Sequence, residues 1–526
     1  MARVTLRSGY ETFMLSSSTI IIGGVLRVLL TVHQFLPKHG FGTERLTFDT
    51  GQELLRRGHE VYVLTTDVAS SALPHDSTWD YDYKGLGVRT LGLDMRRSPD
   101  PLRYEYDNPR TAEHMRAYMR RIEPDLVHVV HAGRLSGSIV PAAKEFGVPV
   151  VFTATDFWSV CRVIHLKRAD TGELCLGPDQ AGTNCLRCFM ARAQAAQQPR
   201  PAPAAAGTPQ TSRGAQSTQS APIISVARGD NRGLPVKVKG KLKSYAASLP
   251  QRSDAELRAY LAVANSSPVS ATKYGGRARA VVDRISFLRD VVNSTDRVIA
   301  PTRLNRDLLI RNGIDPHLIT LSHYGMDTSE ILTAPRSPEN PPTLRFGYIG
   351  SLARHKGADT LIKAFKDLPR SLKPAELKVY GSRDRDAAYS RELEELVRDD
   401  RRVRFEGTFE GEKLGWVLSE IDVLVVPSRW YENTPLVVYS AFASGTPVIA
   451  TDVGGLSEAI EHEKDGLLFE MDNAADLSAK LLRFLLDPEL IGRLRSGMGP
   501  VKTARESVDE LEGIYEELLG RTAGEG

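Results

Sequence analysis

Two doubly wound α/β domains of Rossmann type, facing each other across a cleft, are predicted by this 526-residue sequence. Three observations carry the prediction. The chain is too long for one core, because single cores stop growing beyond about 250–300 residues. Short runs of branched residues alternate with helical stretches in two separate series, as in parallel sheets covered by helices. Between the series, Thr328 to Thr343 carries Pro335, Pro338, Pro341 and Pro342 and reads as a linker.

In the first series the spacing predicts strands at Val25 to Val32, Val61 to Leu64, Leu126 to Val130 and Val148 to Phe152. Helices are expected up to Arg57-Gly58, over Thr111 to Arg121 and over Leu135 to Phe146, and one from Arg277 to Val292 returns the chain to the sheet. The second series predicts strands at Leu344 to Ile349, Leu377 to Tyr380, Val403 to Phe405, Val423 to Val426 and Val448 to Thr451. The expected organisation is an N-terminal extension (1–24), a first domain (25–327) with an insertion at 158–276, a linker (328–343), a second domain (344–500), and a C-terminal helix and tail (501–526). Within the insertion, Ala191 to Pro222 contains no Leu, Ile, Val, Phe, Tyr or Trp. Such a stretch cannot bury enough surface to offset its ordering entropy, so 191–222 is expected to be disordered.

A hydrophobic share of 41% with 25% charged residues is ordinary for a soluble protein, and a net charge of +3 gives no reason to expect a nucleic-acid partner. The best apolar stretch, Phe13 to Leu30, is broken by Ser16-Ser17-Ser18, Gly23-Gly24 and Arg27. It falls short of the roughly 18 uninterrupted residues a membrane helix needs, and it lacks a small-residue cleavage pattern. A cytoplasmic protein is expected. Lys237, Lys239, Lys241 and Lys243 read as a solvated face, with peripheral contact to anionic lipid at the inner membrane face, or to an acidic acceptor, as the alternative.

Three loops carry the chemistry. His39-Gly40-Phe41-Gly42-Thr43-Glu44 joins the first strand to the first helix, where glycines let backbone N–H groups approach a phosphate. Gly350-Ser351-Leu352-Ala353-Arg354-His355-Lys356-Gly357 follows the first strand of the second domain and adds a cation for a diphosphate. In the third, the buried run Val423 to Val426 ends in Ser428-Arg429-Trp430-Tyr431-Glu432-Asn433-Thr434-Pro435-Leu436, and a helix opens at Pro435. That puts one carboxylate and a helix N-terminus at the carboxyl end of the sheet, where open α/β folds bind ligands.

In order and position these loops resemble those of retaining glycosyltransferases of the GT-B class, family 4 (the group 1 type), over residues 25 to 158 and 277 to 520. The resemblance implies transfer of a sugar from a nucleotide-diphosphate donor to a glycan or lipid-linked acceptor, in cell-surface polysaccharide assembly, with no metal in the chemistry. By the same likeness Gly42 and Thr43 lie beside the donor phosphates. Gly350, Ser351 and Arg354 flank the diphosphate, which Lys356 binds. Glu432 meets donor-sugar hydroxyls, Asn433, Thr434, Pro435 and Leu436 surround the phosphate or ribose, and Asp156 stands at the reacting centre. Asp156, Glu432 and Lys356 are the implied catalytic group. Three positions depart from the family. Ser440 stands where a second Glu usually holds the ribose, Ser351 where Arg is usual, and Thr155 where many relatives have His. Losing a charge-assisted contact costs about 1.5–3 kcal/mol. These departures motivate an alternative: a degenerate scaffold that binds a nucleotide or partner without transfer.

All four cysteines, Cys161, Cys175, Cys185 and Cys188, lie in the insertion, the last two as Cys-x2-Cys. That is a half-site for tetrahedral zinc, so a structural zinc ion is expected, with an iron–sulfur cluster, disulfides or free thiols as alternatives. The stretch from Asp156-Phe157-Trp158 through the cysteines resembles a segment of a subset of family 4 enzymes and is expected to cap the acceptor site.

Overall fold

The computed structural model describes residues 24–70, 73–179, 181–195, 275–332, 334–384 and 386–520. Fourteen strands form two sheets among these residues. The first sheet contains β1 (Arg27–Thr31), β2 (Glu60–Val68), β3 (Ser77–Tyr83), β4 (Leu86–Leu93), β5 (Leu126–Val129), β6 (Val150–Thr153), β7 (Arg297–Ala300) and β8 (Ile319–Leu321). Their order is β3-β4-β2-β1-β5-β6-β7-β8, parallel throughout except for the edge strand β3. The second sheet contains β9 (Leu344–Ile349), β10 (Ala375–Tyr380), β11 (Val403–Gly407), β12 (Val423–Val426), β13 (Val448–Thr451) and β14 (Gly466–Phe469), in the order β11-β10-β9-β12-β13-β14. Every pairing in it is parallel.

The central strands are continuous apolar runs because helices cover both faces. All four residues of β12 and of β13 are buried. Each sheet reverses its direction of growth once, between β1 and β5 in the first and between β9 and β12 in the second. Open α/β sheets leave a crevice beyond the strand ends at such points.

Four features differ from the sequence reading. Residues 191–195 complete the helix Thr183–Ala195 instead of beginning a disordered stretch, because Ala, Arg and Gln are strong helix formers. The rest of 191–222, the extension at 1–23 and Lys237 to Lys243 lie outside the described residues. Second, the sequence between Thr66 and Pro101 holds a hairpin, β3 and β4, joined by Lys84-Gly85 with both residues at positive φ. Third, the C-terminal helix Ala504–Leu518, opened by a Thr503/Glu506 capping box, packs back on the first domain. Its Tyr515 hydroxyl lies 2.6 Å from His128 Nδ1 on β5, and its Glu512 pairs with Arg57 and His59. The stretch read as a linker also holds a short helix, Ser329–Leu332. Among the described residues no helix is long and apolar enough to cross a membrane.

Candidate functional site

The two crevices face each other and are joined at their floor. Asn433, in the loop after β12, accepts from Thr302 Oγ1 and Asn305 Nδ2 at 3.1 Å, and its own amide donates to the Ala154 carbonyl at 2.9 Å. Glu458 of the second domain caps the helix Arg303–Arg311 of the first by accepting the Arg303 and Leu304 N–H groups. The glycine loop touches the same seam, since a Cβ on Gly42 would lie 3.3 Å from Leu436 Cδ1.

On the second-domain wall, Lys356 and Glu432 meet. The ammonium lies 2.6 Å from Glu432 Oε1, which also accepts from Ser428 Oγ (2.6 Å) and the Trp430 indole N–H (2.8 Å). Burial pushes the Glu432 pKa up, but Lys356 and the Ser428 and Trp430 hydrogen bonds outweigh it and hold the carboxyl below its ordinary value. Its second oxygen makes no hydrogen bond among the described residues. Lys356 Nζ also lies 4.9 Å from the centre of the Trp430 ring. Gly357, next in the loop, has φ +70°, and a Cβ there would fall 1.9 Å from the Pro427 carbonyl oxygen, so only glycine fits. The helix Gly42–Arg56 opens at Phe41 and the helix Leu436–Ser444 at Pro435, both without a side-chain cap. The Leu436 N–H is held by the Thr434 carbonyl at 2.9 Å, while the Gly42 and Thr43 N–H groups remain available to an anion. The Thr434 hydroxyl is buried without a partner.

On the first-domain side, Asp156 lies just beyond β6. Its Oδ1 accepts the Trp158 N–H (2.7 Å) and its Oδ2 lies 2.9 Å from His131 Nε2. His131 Nδ1 accepts the Gly133 N–H at 2.8 Å, so the ring proton sits on Nε2 and is donated to Asp156. Burial pushes Asp156 up, but His131 outweighs it and holds the carboxyl below its usual range. Behind His131 lies His33, ring centres 4.3 Å apart, and then Glu44, whose Oε1 is 3.3 Å from His33 Nε2. Burial, with help from His131, lowers His33 to about 3, while burial raises Glu44.

Several sequence-predicted residues are otherwise engaged. Arg354 turns outward to pair with Glu392 and lies over the Tyr389 ring at 5.1 Å. The Ser440 hydroxyl is buried and donates to the Leu436 carbonyl of its own helix at 2.9 Å. Thr155 donates to the Val130 carbonyl, and the Gly350 N–H is held by the Tyr380 carbonyl. The Ser351 carbonyl accepts the Tyr348 hydroxyl. The Asn433 side chain joins the domains instead of facing a ligand. His33, Glu44, Trp430 and the Asn305 partnership escaped sequence reading; their only signal was a position just past a strand or at a helix start.

The four cysteines line one cavity together with Arg284. Burial pushes all four thiols up, Cys185 to about 12. Among the described residues no three His, Cys, Asp or Glu side chains form a ready metal shell. The segment after Cys161 runs from the cavity toward the second domain. It reaches the donor-side loop: Lys167 Nζ donates to the Arg429 carbonyl (3.2 Å), and the His165 ring lies 4.6 Å from His355 and 4.7 Å from Trp430.

Residues 331–497 match the family of glycosyl transferases group 1, and residues 41–183 match the glycosyl transferase 4-like domain. The chain therefore carries glycosyltransferase-family domains in both halves. Mannosylfructose-phosphate synthase of Agrobacterium fabrum is 29% identical over 46% of this chain and 56% of its own length. D-inositol 3-phosphate glycosyltransferase of Streptomyces bingchenggensis is 32% identical over 41% of this chain and 50% of its own. The chain thus spans about half the length of these curated relatives. Among solved structures, sucrose-phosphate synthase of Thermosynechococcus elongatus superposes with a TM-score of 0.57 at 19% identity, covering 94% of this chain and all (100%) of that one. Anabaena HepE in complex with UDP and glucose gives 0.53 at 13% identity, covering 93% and 99%. At such identities the likeness establishes the fold, which is GT-B.

Proposed function

We propose that this chain, with a glycosyl transferase 4-like domain ahead of a group 1 domain, is a retaining glycosyltransferase. It moves a sugar from a nucleotide-diphosphate donor to a hydroxyl of a glycan or lipid-linked acceptor in cell-surface polysaccharide biosynthesis. The observation that carries this reading is the Lys356–Glu432 pair, next to Asn433, whose amide donates to the Ala154 carbonyl two residues before Asp156. Lys356 and the helix N-termini align the diphosphate and stabilise its charge as it departs. The free oxygen of Glu432 accepts donor-sugar hydroxyls. Asp156, fixed by His131 and the Trp158 N–H, faces the reacting carbon. The departing phosphate oxygen takes the acceptor proton on the face it leaves, which retains configuration. The chain's own groups supply alignment, charge and exclusion of water.

Purified protein incubated with a panel of nucleotide sugars should release one nucleoside diphosphate slowly by hydrolysis, and Lys356→Ala should abolish that release. The Ser440 hydroxyl, committed to its own helix, favours a second reading: a scaffold that binds nucleotide without transfer. Tight binding of a nucleotide sugar with no release of diphosphate, in the presence of an acceptor panel, would select it.

A further inference from the structure

The four cysteines share their cavity with a buried cation. Arg284, on the helix Gly275–Asn293, is 3% exposed. Its guanidinium donates to the Trp158 carbonyl and lies 5.5 Å from the centre of the Trp158 ring, and no carboxylate pairs with it among the described residues. A buried charge without a counter-ion is costly. The groups nearest to it are the thiols Cys161 and Cys185 together with Glu105, whose carboxylate is already paired with Arg162; Cys175 and Cys188 line the same cavity. With neutral thiols, the one carboxylate near the guanidinium among the described residues is Glu105, which Arg162 already engages. Four thiolates on one divalent ion carry a double negative charge, which more than offsets the single positive charge of the guanidinium.

The sulfurs are also addressed as acceptors. The Ala169 N–H donates to Cys188 Sγ at 3.3 Å, Asn184 Nδ2 lies 3.8 Å from Cys175 Sγ, and the Val163 and Leu166 amides face Cys161. Cys175 itself donates to the Gly177 carbonyl at 3.2 Å. Among the described residues the sulfurs form no ready metal shell, so they must shift to bind one ion together.

Residues 166–175 form a finger that starts at this cavity. Lys167 and Leu174 bridge antiparallel, and the Cys175 N–H donates to the Leu166 carbonyl at 2.7 Å. Leu174 packs against the core of the second domain, and Lys167 holds the Arg429 carbonyl. His165, just before the finger, sets its ring against Trp430, which touches both Lys356 and Glu432.

We propose that Cys161, Cys175, Cys185 and Cys188 bind one structural zinc ion as four thiolates, and that this ion pins the finger whose far side grips the Lys356–Glu432 loop. Each thiol gives its proton to solvent as its Zn–S bond forms. An all-sulfur tetrahedral set suits zinc, whose only role here is structural. The metal site stands independently of the proposed transferase activity; only its consequence for the donor loop rests on that reading.

The test is metal content of the full chain, purified without added metal, together with trypsin cleavage after Lys167 and Arg168. About one zinc per chain is expected, falling below about a tenth of that in Cys185→Ser. Chelation of the unaltered chain should speed cleavage at the finger by about tenfold or more, and added zinc should restore protection. If Cys185→Ser fails to fold, chelation and zinc return on the unaltered chain decide the matter by themselves. A chain without zinc whose cleavage is indifferent to added zinc overturns the proposal, and iron in place of zinc overturns the assignment of the metal.

Discussion

The Lys356 ammonium rests 2.6 Å from Oε1 of Glu432 although the two residues come from separate loops, one after β9 and the other after β12. Parallel pairing of those strands at the point where the sheet reverses brings the loops together. One oxygen of Glu432 gathers all its donors, which leaves a cation and a free carboxylate oxygen side by side. That pairing suits a ligand with an anionic end and a hydroxyl-bearing end.

Glu432→Gln should separate those two ends. The amide keeps the shape but loses the charge-assisted contacts. Nucleoside diphosphate affinity is expected to change by less than about threefold, while affinity for the matching nucleotide sugar falls by about tenfold or more. Titration calorimetry with both ligands checks this, and equal losses for the two would contradict it.

Gly357→Ala should damage the same loop through the backbone. The substitution places a methyl against the Pro427 carbonyl at a positive φ, and such strain costs about 1–3 kcal/mol. A lower melting temperature with weaker nucleotide binding is expected from thermal denaturation with and without ligand.

Tyr515→Phe tests the return of the C-terminal helix. It leaves His128 Nδ1 buried without its hydroxyl partner, at a cost of about 1–3 kcal/mol. Denaturant unfolding should show that loss, with nucleotide affinity unchanged.

Stability should fall as pH drops below the ordinary histidine value. Burial lowers His128 to about 3, and burial with His131 lowers His33 to about 3. Between roughly pH 6.5 and 3 the unfolded chain therefore binds more protons than the folded one, so stability rises with pH there. Asp49, raised to about 6 by burial, opposes this, because its folded form holds a proton that the unfolded chain has released above about pH 4. The histidines should dominate, being two groups with the larger shifts. Melting temperatures across that range, flattened in part by His128→Asn, check the sign.

The sequence made the strands at the cleft legible because parallel, doubly covered strands read as continuous apolar runs. β12 and β13 fall within the residues expected for them. The hairpin β3–β4 was harder to see, since an edge strand such as Ser77–Tyr83 is largely polar and exposed on one side. The site was legible where one loop carries its own chemistry, as at Lys356 and Glu432. It was not where partners are distant in the chain. Nothing local marks Asn433 as the partner of Asn305 and Ala154, Tyr515 as the partner of His128, or Arg284 as the cation beside the cysteines. Side-chain direction was equally hidden, so Arg354 and Ser440 read as ligand-facing although each is held by its own domain.

Binding of a nucleotide donor's diphosphate by Lys356 can be measured as thermal stabilisation by a panel of nucleoside diphosphates and their sugars. A rise in melting temperature is expected with the nucleotides of one base, lost in Lys356→Ala protein that is otherwise folded. No rise with any nucleotide, or a rise that survives Lys356→Ala undiminished, would contradict it.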